Sequence, residues 1–126
     1  MYSDLVMEHF RNPRNVGELD DADVVVQTGD PTCGDVLLLF LKINHDVVTN
    51  VKFRIFGCGA AIATSSIASE LALGRSLDEV LKLTDQDIAA ALGGLPEEKM
   101  HCSILAVTAL HKGIMRYLAA SGAIGK

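Results

Sequence analysis

Between Val36 and Phe56 the chain carries two apolar, β-branched runs separated by Asn44-His45-Asp46. So short a polar break leaves room only for a tight reversal, which predicts two antiparallel strands, Val36 to Asn44 and Val47 to Phe56. In the second run Val51, Phe53 and Ile55 share one face while Lys52 and Arg54 share the other, the alternation of a half-buried strand. The first run is apolar on both faces, which places it at the centre of a sheet or beneath a covered interface. Ahead of it, Ala22 to Thr28 carries Val24, Val25 and Val26 and reads as a third strand, ended by Gly29-Asp30-Pro31. Short connections join all three into a meander.

Helical spacing frames this sheet on both sides. Ser3 to Phe10 reads as a short helix capped by Ser3, with Leu5, Val6, His9 and Phe10 recurring at helical intervals and Asn12-Pro13 stopping it. After Gly57-Cys58-Gly59 the period changes. Ala60, Ala63, Ile67 and Leu71 then fall on one helical face, and Gly74 supplies a C-terminal stop. Ser76-Leu77-Asp78-Glu79 is a capping-box pattern opening a helix to Leu83, and Thr84 caps Asp85 to Leu92. Leu95 to Met100 reads as a loop. A last helix is predicted from Ser103 to Ala120, with Ile104, Val107, Leu110, His111, Ile114 and Leu118 facing inward. Strands first and helices later define an α+β fold, a three-stranded antiparallel sheet packed against helices. At 126 residues, positions 1–126 read as a single domain.

Charge narrows the partners. The net charge is −5 with no basic cluster, so neither nucleic acid nor a membrane surface is an expected ligand. The longest apolar run, Val36 to Leu41, is far short of the ~20 residues that span a bilayer. Asp4 and Glu8 near the start do not resemble a secretory leader, and an odd count of 3 cysteines argues for reduced thiols. The expected compartment is the cytoplasm.

The cysteines carry the chemistry. Each lies at an element boundary: Cys33 in Thr32-Cys33-Gly34-Asp35, Cys58 in Gly57-Cys58-Gly59, and Cys102 in His101-Cys102-Ser103. A lone cysteine is often a small buried hydrophobe, and Asp35 alone reads as a turn residue. Three boundary thiols, two flanked directly by glycine, with a carboxylate and an imidazole beside them, form instead a ligand set for an iron–sulfur cluster or zinc. Cys58 and Cys102 are predicted near helix N-termini, where the dipole favours the thiolate. No Cys-x-x-Cys pair is present, which argues against a zinc ribbon or a thioredoxin-type dithiol. Electron-transfer clusters usually have four cysteines. Three plus Asp35 or His101 leave one harder, exchangeable ligand, suited to holding a cargo transiently. Lys99 reads as a solvated residue able to offset thiolate charge, and His9, His45 and His111 as helix, turn and core residues.

The motifs around these residues carry a family resemblance that runs from the N-terminus to the last helix. Tyr2-Ser3, His9 and Asn12-Pro13-Arg14-Asn15-Val16-Gly17 resemble the opening signature of the IscU-type iron–sulfur cluster assembly scaffolds, including the N-terminal domain of NifU. Gly29-Asp30-Pro31-Thr32-Cys33-Gly34-Asp35 is similar to their first ligand motif. Phe56 to Ala63 with Ser65-Ser66 is similar to the second, and Lys99-Met100-His101-Cys102-Ser103 to the third. The resemblance implies a scaffold that takes sulfur from a cysteine desulfurase, binds iron, builds a [2Fe-2S] cluster and passes it to apo iron–sulfur proteins. It is a carrier rather than a conventional catalyst, and an electron-donor ferredoxin is a further expected partner. It implies Cys33, Cys58 and Cys102 as ligands, completed by Asp35 or His101; with three cysteines per chain, a second subunit of a homo-oligomer is an alternative source of the fourth ligand. Cys102 is implied as the persulfide acceptor, Lys99 as a supporting charge, zinc as a placeholder in the same site, and Tyr2 near the desulfurase interface.

One departure bears on partners. Relatives served by a dedicated Hsp70 chaperone carry Leu-Pro-Pro-Val-Lys, where this chain reads Leu95-Pro96-Glu97-Glu98-Lys99, so recognition by such a chaperone is not expected. Two other readings compete: a zinc-dependent sulfur carrier of the SUF type, and a zinc-stabilised binding module. The SUF-type relatives carry an insertion before the last cysteine and lack the adjacent histidine, whereas this chain has no such insertion and keeps His101.

Overall fold

The computed structural model describes residues 2–30 and 34–121. Three strands form one antiparallel sheet in the order β1-β2-β3: β1 (Val24–Asp30), β2 (Asp35–Asn44) and β3 (Val47–Phe56). The β2–β3 reversal is a two-residue turn in which His45 and Asp46 both have positive φ, 53° and 59°. That is the left-handed geometry matching the twist of paired strands, which Asp tolerates better than most residues.

The sheet begins two residues later than its sequence predicts and runs through Gly29 and Asp30 instead of ending there. Gly29 stays paired with Val36 at φ 109°, where a Cβ would collide with the Asp35 carbonyl oxygen. Glycine therefore admits close approach of β2 here rather than terminating the strand.

Among the described residues five α-helices accompany the sheet: α1 (Asp4–Arg11), α2 (Gly59–Ala72), α3 (Leu77–Leu81), α4 (Asp85–Ala91) and α5 (Met100–Ala120). One sheet face, with Val26, Leu37, Leu39, Leu41, Val51 and Phe53, forms the core with Ala68, Ala72, Ala106, Ala109, Leu110 and Ile114 from α2 and α5. β2 is the central strand, which accounts for its apolar character on this side. Its other face, Val36 and Leu38, is half-buried. Along the free edge of β1, Lys112 and Arg116 of α5 donate to the carbonyls of Gln27 and Val25, at 3.2 and 3.0 Å, and so block further strand pairing.

α1 is capped by Ser3, whose Oγ accepts from Val6 N at 3.1 Å. Only Val6 and His9 of its four recurrent residues are buried; Leu5 and Phe10 are exposed. His9 docks the helix on α2, Nδ1 lying 2.7 Å from Ser66 Oγ, and burial lowers its pKa. α2 shows no single buried face. It packs against α1, α5 and the sheet, so Ala60, Ala63, Thr64, Ser66 and Ala68 are all buried while Ile67 and Leu71 are half-buried.

α5 starts three residues before its predicted beginning. Its inner face is built from small residues, Ala106, Ala109 and Gly113, beside Leu110 and Ile114. The bulky Ile104, expected inward, is 52% exposed. Close packing of the helix on the sheet selects for small volume at the contact, and size alone misled the sequence reading. Val107, His111 and Leu118 are half-buried.

Candidate metal centre

Three element starts meet at one end of the sheet. Asp35 is the first residue of β2, Cys58 follows β3 as the N-cap residue of α2, and Cys102 lies in the first turn of α5. One ligand atom from each of Asp35, Cys58 and Cys102 falls within 4.8 Å of the others. Cys58 Sγ and Cys102 Sγ are 4.0 Å apart, and Cys102 Sγ is 3.9 Å from Asp35 Oδ2. Cys33 lies outside the described residues.

Asp35 is the hub. Its Oδ1 accepts from the Cys58 backbone N–H at 3.3 Å, and its Oδ2 faces His101 Nε2 at 3.4 Å. Only 8% of Asp35 is exposed, so the carboxylate is committed to this corner rather than to a solvated turn. Gly57 makes this possible: a Cβ there would overlap Asp35 Oδ1 and come 3.1 Å from Ala61 Cβ. Glycine is needed for its missing volume, not its dihedral freedom.

His101 is exposed and sits at the edge of the group. Its Nδ1 is 3.1 Å from the Glu98 carbonyl, a contact that requires the proton on Nδ1. Its Nε2 lies 3.5 Å from Cys102 Sγ, within reach of a metal held by the thiols. Lys99 Nζ lies 3.9 Å from Cys58 Sγ. Its pKa is raised, chiefly by a charged Cys58 and then by Tyr2, as expected of an ammonium facing a potential thiolate.

Cys102 differs from its predicted state. The residue is fully buried, and burial, followed by the nearby Cys58, pushes its thiol up to about 12. Desolvation outweighs the helix dipole here, so without a bound cation Cys102 is a thiol, not a thiolate. Cys58 is half-buried and beside Lys99. A soft cation would supply the positive charge that ionises Cys102, and two sulfurs with a carboxylate fit iron or zinc far better than calcium or magnesium.

Tyr2 is also at this end. It packs with Ala60, Ala61, Cys58 and Cys102, and lines with Val6, Met7, Phe10 and Gly59 an apolar cleft of about 280 Å³. Of the residues singled out in the sequence, Asp35, Cys58, His101, Cys102, Lys99 and Tyr2 are thus brought together. Thr64 was not anticipated. It is fully buried in α2, and its hydroxyl donates toward the carbonyls of Ala61 (3.1 Å) and Cys102 (3.2 Å). A hydroxyl in an alanine-rich helix was the available signal, but Thr and Ser in helices often bond only their own backbone.

These features define a member of a known family. The sequence matches the NifU-like N terminal domain over residues 1–123, and the chain belongs to that family. It is 51% identical over 126 residues to "Iron-sulfur cluster assembly scaffold protein IscU 1" of Archaeoglobus fulgidus, covering 100% of this chain and 82% of that protein. It is 46% identical over 125 residues to the protein called "Iron-sulfur cluster assembly scaffold protein IscU" in Aquifex aeolicus, covering 98% and 80%. Among solved structures, the N-terminal part of a nitrogen-fixing NifU-like protein from Brucella abortus superposes with a TM-score of 0.72 at 19% identity, over 94% of each chain, a likeness of fold. The α+β meander with helices on one face is the family architecture.

Proposed function

We infer that this chain is a scaffold on which an iron–sulfur cluster is assembled and from which it is passed on. The observation that carries this reading is the convergence of Asp35, Cys58 and Cys102 within 4.8 Å at one end of the sheet, in a chain whose relatives are named for that task. The cluster is cargo. Cys58 and Cys102 bind iron as thiolates, with Cys33, two residues before Asp35 in sequence, as the third sulfur. Asp35 or His101 supplies the harder, exchangeable fourth position, or a second subunit of a homo-oligomer does so. Lys99 compensates the negative charge that accumulates as thiolates and sulfide gather.

The cargo we assign is a [2Fe-2S] cluster. Its sulfur comes from a cysteine desulfurase as a persulfide on Cys102, with Tyr2 near the docking surface. Reduction of persulfide sulfur to sulfide needs two electrons, supplied by a ferredoxin. Apo iron–sulfur proteins receive the product. In this reading the chain is a cytoplasmic, single-domain carrier over residues 1–126 and not a conventional catalyst. Zinc is a placeholder that can occupy the thiolates before iron arrives. Among the described residues no helix is long and apolar enough to cross a membrane. The Glu97–Lys99 turn, with two acids where chaperone-served relatives carry Pro and Val, argues against a dedicated Hsp70 partner.

The test is functional and direct. The chain is incubated anaerobically with ferrous iron, cysteine, a cysteine desulfurase and reductant, then mixed with an apo-ferredoxin. The scaffold reading expects visible charge-transfer absorption on this chain first, then its loss as the ferredoxin spectrum grows. A ferredoxin filled at the same rate without this chain would overturn it.

A further inference from the structure

The two described sulfurs sit on different helices, so whatever fixes α2 against α5 also fixes their spacing. Cys58 is the N-cap residue of α2, and Cys102 is the third residue of α5. Near the site this helix contact is made by small side chains, Ala60 and Ala61 on one side and Cys102 on the other, all fully buried. Small residues allow close approach but provide little interlocking shape to stop one helix sliding along the other. The buried hydroxyls of Ser65 on α2 and Ser103 on α5 have no hydrogen-bond partner among the described residues, so they add no tether.

Thr64 is different. Its hydroxyl, with no solvent exposure, spans from α2 to the backbone carbonyl of Cys102 at 3.2 Å while sharing its proton with Ala61 O in its own helix. The Cys102 carbonyl also faces its helical amide four residues on, so it does not need Thr64 for satisfaction. The contact thus costs a buried hydroxyl and joins α2 to the very residue that carries the second sulfur.

We propose that Thr64 is a positioning residue for the metal centre, its hydroxyl fixing the separation of Cys58 and Cys102 by tying α2 to the first turn of α5. The inference rests on the scaffold reading only in taking the two thiols to be ligands. Groups hydrogen-bonded to a ligating side chain typically change metal affinity by about 10–100-fold when lost, and a contact to the ligand residue's backbone belongs at the low end of that range.

The test uses Co²⁺ and Zn²⁺ alone, with no desulfurase and no cluster. Thr64→Val keeps the branched shape and removes the hydroxyl; Thr64→Ser restores it. Each is titrated anaerobically with Co²⁺, whose ligand-field bands report coordination geometry, then with Zn²⁺ in competition. Thr64→Val is expected to bind about tenfold more weakly, with shifted Co²⁺ bands, and Thr64→Ser to return within about twofold of the wild type. A merely structural role would lower the thermal midpoint of Thr64→Val but leave its bands and affinity, measured well below that midpoint, unchanged. That result, or Thr64→Ser behaving like Thr64→Val, would overturn the proposal. If Thr64→Val does not fold, Thr64→Ala, which also lacks the hydroxyl, takes its place with the same expectation. Should the wild type bind neither ion, the ligand assignment itself fails, an outcome separate from equal binding by wild type and variant.

Discussion

The two ends of the sheet are built on opposite principles. At the hairpin end backbone donors are matched to backbone acceptors. Leu77 N donates to Asp46 O and Val48 N to Arg75 O, each at 2.9 Å, and Gly74 N donates to Val48 O at 2.8 Å. The reciprocal capping box of Ser76 and Glu79 closes the corner. At the other end a nearly buried carboxylate and two thiols face one another at 3.9 to 4.0 Å, longer than good hydrogen bonds between them would be. One end is complete as folded. The other gathers a carboxylate and thiols that a cation would draw together as ligands, and the difference separates what holds the fold from what the fold holds.

Substitution should divide the two ends cleanly. The largest effect is expected for Cys58→Ser. Iron and sulfide retained after reconstitution should fall to near zero, while the metal-free thermal midpoint moves by no more than about 4 °C, roughly 1 kcal/mol in a domain of this size. A variant that keeps its cluster would erase the distinction.

Asp35→Ala comes next. Removing the hard, exchangeable ligand should slow cluster transfer to an apo-ferredoxin by about tenfold, because the soft thiolates that remain hold iron more firmly. Stopped-flow absorbance would measure this, and unchanged or faster transfer would contradict it.

The pH dependence sharpens the comparison further. Cys102 has its folded pKa raised from 9.0 to about 12, so the folded state favours the neutral thiol. Its contribution is fully present below pH 9 and is lost as pH rises toward 12, because the unfolded chain releases that proton first. Urea midpoints of the metal-free protein should therefore fall between pH 9 and 11 more steeply for wild type than for Cys102→Ser. Parallel curves would show that burial of this thiol is not linked to stability.

The smallest expected effect lies at the complete end. Ser76→Ala removes one half of a capping box and should cost about 1 kcal/mol in urea unfolding, with no change in iron bound. Altered iron content would mean that the two ends are coupled.

Sequence legibility followed the range of the interactions. The β2–β3 turn, the capping box at Ser76 and the cap at Thr84 were readable because each is decided within four residues. The outward face of Ile104, the all-round burial of α2 and the persistence of β1 through Gly29 were not, because each depends on what packs against it. At the site, the residue types around Cys58 and Cys102 suggested a soft-metal ligand set, and Asp35, His101 and Lys99 do gather there. The protonated, buried state of Cys102 and the reach of Thr64 escaped, since both arise from α2 meeting α5.

In the scaffold reading this corner holds iron and sulfide as cargo. That reading is tested most directly by counting iron, zinc and acid-labile sulfide per chain in protein handled without oxygen and reconstituted with ferrous iron and a cysteine desulfurase. Iron and sulfide are expected in equal amounts in the wild type, and neither in Cys58→Ser. Zinc retained without sulfide after that treatment, or sulfide bound equally by the variant, would contradict it.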